Sequence, residues 1–403
     1  MTTQIPKLRF PEFEGEWEEK GLGELLEFKN GINASKEQYG KGIKFINVLD
    51  ILNNEYITHE KIIGSVDVDE KTLAKYPVNY GDILFQRSSE TREEVGTACV
   101  YLDEVNTATF GGFVIRGKKI GEYEPRFLNK LLKTDSARDV ITSKSGGSTR
   151  YNVGQETLSS VKLRFPSLPE QTKVANFLTA IDTKIQQLTQ KKALLEEYKK
   201  GVMQQLLSQK IRFKDENGAD YPDWEEKKLG EIAMFFSGGT PLTSKKEFFN
   251  GEIPFIRSGE IHSESTEQFI TELGLKNSSA KMVKVGDILY ALYGATSGEV
   301  GISKINGAIN QAILCIRSVN NHFYISSFLS HQKENITKTY LQGGQGNLSA
   351  EIIKSLLIPL PSLPEQTKIA NFLTAIDTKI ETVAKQIGQT QSYKKGLLQQ
   401  LFV

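Results

Sequence analysis

PSLPEQTKVANFLTAIDTKI, residues Pro166–Ile185, returns as PSLPEQTKIANFLTAIDTKI, residues Pro361–Ile380, with Val174 against Ile369 as the one difference. The correspondence continues without insertion or deletion into Tyr198-Lys199-Lys200-Gly201 against Tyr393-Lys394-Lys395-Gly396, then Gln204-Gln205-Leu206 against Gln399-Gln400-Leu401. Two near-identical segments, each closing a half of the chain that has otherwise diverged, mark a tandem duplication.

Each segment reads as a helix from its first residues. Ser167 with Glu170 three positions on has the spacing of a capping box, and Pro169 falls in the first turn, where its missing N–H costs nothing. Val174, Leu178, Ile181, Ile185 and Leu188 then alternate steps of four and three. The seam resumes at Leu195, Val202 and Leu206, interrupted by Lys192 and Lys199. The second copy runs Ile369, Leu373, Ile376, Ile380, Val383 and Ile387, then Leu397 and Leu401. A heptad seam on a helix of roughly 60 Å needs a partner seam. The other copy supplies one, as a coiled-coil pair; the alternative is that each helix packs on its own globular domain.

Packing fixes only the seam, yet the polar positions are reproduced too. Glu170, Lys173, Asn176, Asp182 and Lys184 return as Glu365, Lys368, Asn371, Asp377 and Lys379. Either a partner touches these faces or the copies have been homogenised by recombination.

The 403 residues suffice for several cores, and 38% hydrophobic with 25% charged residues is ordinary for a globular chain. No apolar run is long enough for a membrane span, and MTTQIPKLRF lacks a signal peptide's apolar core, so the cytoplasm is the expected compartment. A net charge of +1 argues against broad adhesion to nucleic acid, although balanced totals conceal local basic patches. Cys99 and Cys315 lack CxxC spacing, and the four histidines are not at ligand spacing, so neither a disulfide framework nor a metal site is expected.

The halves also begin alike. Lys7-Leu8-Arg9-Phe10, Trp17 and Leu22-Gly23-Glu24 match Lys210-Ile211-Arg212-Phe213, Trp224 and Leu229-Gly230-Glu231; Gly81-Asp82-Ile83-Leu84 matches Gly286-Asp287-Ile288-Leu289. Short β-branched and aromatic runs bounded by Gly, Asn and Asp predict strands and turns, with a helix near Pro125–Lys133 and its counterpart near Phe323–Gln332. The expected architecture is α+β: two similar globular domains, 1–165 and 210–360, joined by repeated helices at 166–209 and 361–403, with a pseudo-two-fold internal repeat.

Between these anchors the polar chemistry differs. The first half carries Gln86, Arg87, Ser88 and Arg92 after a strand-like run, and Lys144, Ser148, Arg150, Tyr151 and Asn152 before the helix. These side chains read base edges and hold phosphates. At matching places the second half has Tyr290, Tyr293 and Thr296, then Gln342, Gln345 and Asn347. Arg257 and the turn Ser237-Gly238-Gly239-Thr240-Pro241 with Lys245 and Lys246 are further candidates for DNA contact. No catalytic motif appears. Gly112 to Lys119 nearly fits a phosphate-binding loop, but Lys119 stands where a hydroxyl must hold magnesium and the intervening residues spell a strand. There is no dinucleotide fingerprint, base-methylation tetrapeptide or serine elbow, so the chain reads as a non-enzyme.

The order of variable domain and repeated helix, twice over, with the entry at Pro166–Leu178 and Pro361–Leu373, resembles the DNA specificity subunits of type I restriction-modification systems over the whole chain. The resemblance implies two target recognition domains, each reading one half of a gapped double-stranded DNA sequence, with the coiled-coil helices packed antiparallel as a spacer. It also implies two methyltransferase subunits that carry S-adenosylmethionine, and motor-nuclease restriction subunits; the chain itself needs no cofactor and no membrane. A coiled-coil scaffold or binding protein with no role on DNA is the alternative reading.

Overall fold

Strands form here where the chain carries consecutive apolar residues and both faces are covered. Ile83–Gln86 and Ile288–Ala291 are buried at every position. The computed structural model describes residues 5–147, 149–341 and 347–403. It divides into two compact units, Met1–Leu188 with Gln386–Val403, and Thr189–Lys385.

In the first unit Ile83–Gln86 lies between Val114–Lys119 and Ala98–Val100, with Leu26–Asn30 at the edge, all antiparallel. Side chains alternate across the sheet. Ile83 and Phe85 join a core with Trp17, Phe127 and Leu178, whereas Leu84 joins a second cluster with Tyr101 and Phe110. The second unit repeats this order with Ile288–Ala291 between Ile313–Ser318 and Val300–Ile302, and Ala233–Ser237 outside. Ile288 and Tyr290 face one cluster, and Leu289 and Ala291 the other.

The repeated Gly-Asp before each central strand is a turn that needs both residues. Gly81 and Gly286 have φ of +90° and +95°, which a side chain would strain. Asp82 accepts the Asn79 N–H at 3.0 Å and Asp287 the Lys284 N–H at 2.8 Å, closing the same loop in each unit.

The long helices run Leu168–Leu207 and Leu363–Leu401. Within the first unit Leu178 shares a core with Leu397 and Leu401; within the second, Met203 and Leu206 share one with Ile369 and Leu373. The start of one helix therefore packs beside the end of the other, so the pair expected from the seam is antiparallel, as the resemblance implied. Ion pairs repeat the rule with the copies exchanged: Asp182 to Lys394 at 2.6 Å in the first unit, Asp377 to Lys199 at 2.6 Å in the second. Since 377 and 394 are the repeats of 182 and 199, one contact is made twice, as across a two-fold interface.

The expected capping box gives way to something stronger. Glu170 is buried, and its two oxygens accept Arg9 Nε at 2.8 Å and Nη2 at 2.7 Å, with the Trp17 indole N–H at 3.4 Å. Glu365 accepts Arg212 at 3.2 and 2.9 Å and the Trp224 indole at 2.9 Å. At the second entry the Ser362 hydroxyl is buried with no hydrogen-bond partner. The next residue joins each helix to its globular part. Gln171 donates to Pro166 O and accepts the Glu124 N–H, and Gln366 donates to Pro361 O and accepts the Asn321 N–H. Glu124 and Asn321 are the N-caps of the helices Pro125–Leu131 and His322–Tyr340. The second of these runs on past Gln332. In the first unit Thr134 instead caps a separate helix, Asp135–Ser143, that the sequence reading did not predict.

Replacing Glu170 with alanine leaves the buried Trp17 N–H without an acceptor and removes the charge partner of Arg9, which keeps its bonds to the Glu14 and Gly15 carbonyls; the expected loss is roughly 1–3 kcal/mol. Urea unfolding of the first unit, followed by Trp17 fluorescence in a Trp224→Phe background, measures it. Exposed Asn176→Ala is the control and should change stability by less than about 0.5 kcal/mol; a similar effect from both variants would show that the buried carboxylate anchors nothing.

Candidate nucleic-acid interface

In the first unit the two polar stretches singled out from sequence are zipped together. Ser88–Ser89 pairs antiparallel with Tyr151–Asn152, and Val153 N–H donates to Arg87 O at 3.0 Å. This ribbon extends the end of the central strand and presents exposed Arg87, Arg150 and Asn152, with Ser88 and Tyr151 half-exposed. Arg92 and Lys144 are exposed nearby in sequence but engaged, Arg92 Nε with Thr142 O at 3.2 Å and Lys144 with the Ser160 hydroxyl at 3.2 Å. Gln86 departs from the expectation. It belongs to the buried strand, its amide donates to Ser88 O, and its oxygen is buried without a partner, so it supports the ribbon from beneath. Ser148 lies outside the described residues. The sequence reading passed over Phe113, which is 62% exposed, with the Arg150 guanidinium 5.8 Å from its ring centroid.

The second unit keeps the frame and changes the side chains. Leu348 N–H donates to Leu292 O at 3.0 Å, the counterpart of Val153 to Arg87, and leaves Asn347 exposed beside it. Tyr290 is a correction: it is fully buried in the strand, and burial pushes its phenol up to about 12. Tyr293 is half-buried against the core and Thr296 half-buried in the adjoining turn. Arg257 is held by Glu260 at 3.2 Å and Glu267 at 2.6 Å; these hydrogen bonds raise its pKa and tie its guanidinium down. Lys245 and Lys246 are exposed, but the glycines before them serve packing. A Cβ on Gly238 would sit 1.8 Å from Ile309 O, and one on Gly239 2.5 Å from the Ser279 side chain. Gln342 and Gln345 lie outside the described residues.

The repeated helix residues separate into two groups. Glu170 and Glu365 are buried anchors and cannot meet a partner. Asp182 and Asp377 tie helix to helix, and in the first unit Asp182 also pairs with buried Lys130, which reaches Glu55 as well. Lys173 pairs with Glu12, and Lys368 donates to Lys214 O at 2.7 Å. What stays exposed is Asn176, Thr183 and Lys184, repeated as Asn371, Thr378 and Lys379. Tyr198 and Tyr393, 53% and 57% exposed, join this group and were not picked out from sequence.

Among the described residues of the second unit the Lys130 cluster has no counterpart. Counting from the matched N-caps, Ser327 stands where Lys130 stands, and an open cleft of about 930 Å³ lies there between Ser327, His262, His331, Lys199 and Asp377. Among the described residues no group of three or more His, Cys, Asp or Glu could hold a metal, and no helix is long and apolar enough to cross a membrane.

Comparison with known proteins matches this architecture to one family. The model described as the type I restriction modification DNA specificity domain fits twice, at residues 14–197 and 221–390. The type I restriction enzyme MjaIX specificity subunit of Methanocaldococcus jannaschii is 25% identical over 96% of this chain and 92% of its own. The crystal structure of the type I restriction-modification S subunit from M. genitalium superposes with a TM-score of 0.61 at 18% identity, covering 99% of both chains. A chain from the structural work on complex assembly and conformational transition of the type I R-M system gives 0.59 at 17% identity, covering 96% of both.

The charge cluster of the first unit sets an acid limit. Burial alone would raise the Glu55 carboxyl, but Lys133, Lys130 and Lys394 outweigh it and hold it at about 2, against an ordinary 4.5. Unfolded chains therefore bind more protons between these values, and the stabilisation present above pH 4.5 is lost as pH falls toward about 2. Glu55→Gln should flatten this part of the pH dependence. Urea midpoints of the first unit between about pH 5 and about pH 2.5 test it; parallel curves for variant and wild type would refute the assignment.

Proposed function

Because the chain belongs to the type I restriction modification DNA specificity family, we propose that it reads a gapped, bipartite DNA target and does no chemistry itself. Each globular part, 1–165 and 210–360, is a recognition domain for one half-site. The observation that carries this reading is a repeated backbone frame whose exposed residues differ: Arg87, Arg150 and Asn152 in the first unit, Asn347 at the matching place in the second. A duplicated reader with unlike tips suits an asymmetric target. Guanidinium groups suit guanine and phosphate, and the Asn amide suits adenine.

The helices, 166–209 and 361–403, are the docking surface for methyltransferase subunits. Each unit presents one composite set of residues, Asn176, Thr183 and Lys184 with Tyr393 in the first, and Asn371, Thr378 and Lys379 with Tyr198 in the second. Identical surfaces take identical partners, so two copies of one methyltransferase subunit bind, bringing S-adenosylmethionine with them. Restriction subunits add to that complex, and the chain holds no cofactor of its own.

Deleting this chain alone, with its methyltransferase kept, should abolish a gapped methylated motif in a genome-wide map of modified bases; an unchanged map would refute the targeting role. The docking surface has its own readout. Lys184→Glu with Tyr393→Ala alters only the first unit and should reduce the complex from two methyltransferase subunits to one in native mass spectrometry. Retention of both would place the partner elsewhere.

A further inference from the structure

Both units contain one turn that is held by the same backbone bonds and carries different exposed side chains. In the first it is Gly111-Gly112-Phe113, entering the strand Val114–Lys119; in the second it is Asn310-Gln311-Ala312, entering Ile313–Ser318. Four hydrogen bonds correspond. Gly111 N–H donates to Ile46 O at 3.0 Å, as Asn310 N–H does to Ile256 O at 3.3 Å. Val114 N–H donates to Gly111 O and Ile313 N–H to Asn310 O, at 2.9 and 3.3 Å. Ile32 N–H reaches Phe110 O, and Gly239 N–H reaches Ile309 O, at 3.0 and 3.2 Å. The end of the central strand closes the set, through Arg87 N–H to Phe113 O at 2.9 Å and Leu292 N–H to Ala312 O at 2.8 Å.

The neighbouring segment is fitted to this turn by glycine in both units. A Cβ on Gly31 would lie 2.2 Å from Gly111 O, and one on Gly238 1.8 Å from Ile309 O. A backbone fixed from four sides costs nothing further to order when a ligand arrives, which is what a specificity element requires. The side chains it carries face solvent. Phe113 is 62% exposed, with Arg150 beside the ring and Arg87 Nη1 3.4 Å from Gly112 O. Gln311 is exposed, and its Oε1 accepts the Thr240 hydroxyl at 2.6 Å. That bond holds the amide in place and leaves its NH2 group and one lone pair of Oε1 available.

We propose that this turn discriminates bases in each recognition domain, Phe113 by apolar contact with a thymine methyl group and Gln311 by paired hydrogen bonds to an adenine. The proposal rests on the DNA-specificity reading above and assigns residues to it. Arg87 and Arg150 bracket Phe113 and supply the phosphate or guanine contacts that seat the ring. The second turn relies on amide chemistry, as the bidentate pairing of Gln with adenine N6 and N7 allows.

The experiment uses the assembled methyltransferase complex and the target duplex obtained from its methylation map. Phe113→Ala should lower affinity roughly ten- to a hundredfold and relax one thymine position in one half-site, while the other half-site is still read. Replacing that thymine by uracil, which removes only the methyl group, should weaken wild-type binding by the same factor and leave Phe113→Ala unaffected. Gln311→Ala should relax one adenine position in the opposite half-site. Equal sensitivity of Phe113→Ala and wild type to uracil at every thymine, or unchanged half-sites in both variants, overturns the assignment while the specificity reading stands. A methylation map that never depended on this chain overturns both.

Discussion

A carboxylate buried at the start of each long helix is the constraint on which the architecture depends. Glu170 and Glu365 sit out of water, where an unpaired charge is intolerable, so each must be met by the arm that precedes its own globular part. Arg9 and Trp17 do this for one, Arg212 and Trp224 for the other. Two rings close over the same joint: Phe10 meets Phe177 at 5.7 Å and Phe213 meets Phe372 at 5.6 Å. The neighbouring glutamine then holds the N-cap of the domain's own helix. A short run, Pro-Glu-Gln followed by Ala-Asn-Phe, thus fastens arm, long helix and globular part together. Its near-perfect repetition follows from these contacts as much as from any partner.

The arms show how the repeat closes on itself. In the second unit the arm continues directly from the first long helix, and Ile211 N–H reaches Gln205 O at 3.4 Å. In the first unit the N-terminal arm makes the matching bond, Leu8 N–H to Gln400 O at 2.9 Å, although 392 residues of chain separate the two. Geometry, not connectivity, sets the joint. The units then differ in how firmly the globular part is clamped to the helices. Lys130 is buried between Glu55 and Asp182 in the first, whereas the second has Ser327 and an open cleft at that position. The frame is shared, and the first unit adds a strap to it.

Much of this was legible in the sequence. The offset between the copies named the helices, the heptad steps predicted that they pair, and Gly-Asp-Ile-Leu marked the central strands. What misled was polarity. Glu170, Asp182 and their repeats were read as an outer face because polar residues on a helix are ordinarily exposed. Their partners come from Arg9 and Lys394, 161 and 212 positions away, and no local pattern reports such a pairing. Gln86 and Tyr290 were read as loop residues because the strand continues further than the apolar run suggested. Phe113 escaped for the opposite reason. An aromatic between glycine and a β-branched run is read as core, and only the fold reveals that its turn projects.

The separation of frame from tip has an energetic consequence. Truncations at Glu170 or Tyr290 remove buried groups and cost roughly 1–5 kcal/mol. Changes at Phe113, Arg150, Gln311 or Asn347 act on exposed side chains, where substitution typically moves stability by about 0.5 kcal/mol or less. A marginally stable chain can therefore explore its tips almost freely while its frame is held fixed. Exposed residues on a fixed backbone can change what they contact without changing whether the chain folds. The two halves of this protein, alike at the buried joint of arm and helix and unlike at the turn between the strands, are two outcomes of that freedom within one molecule.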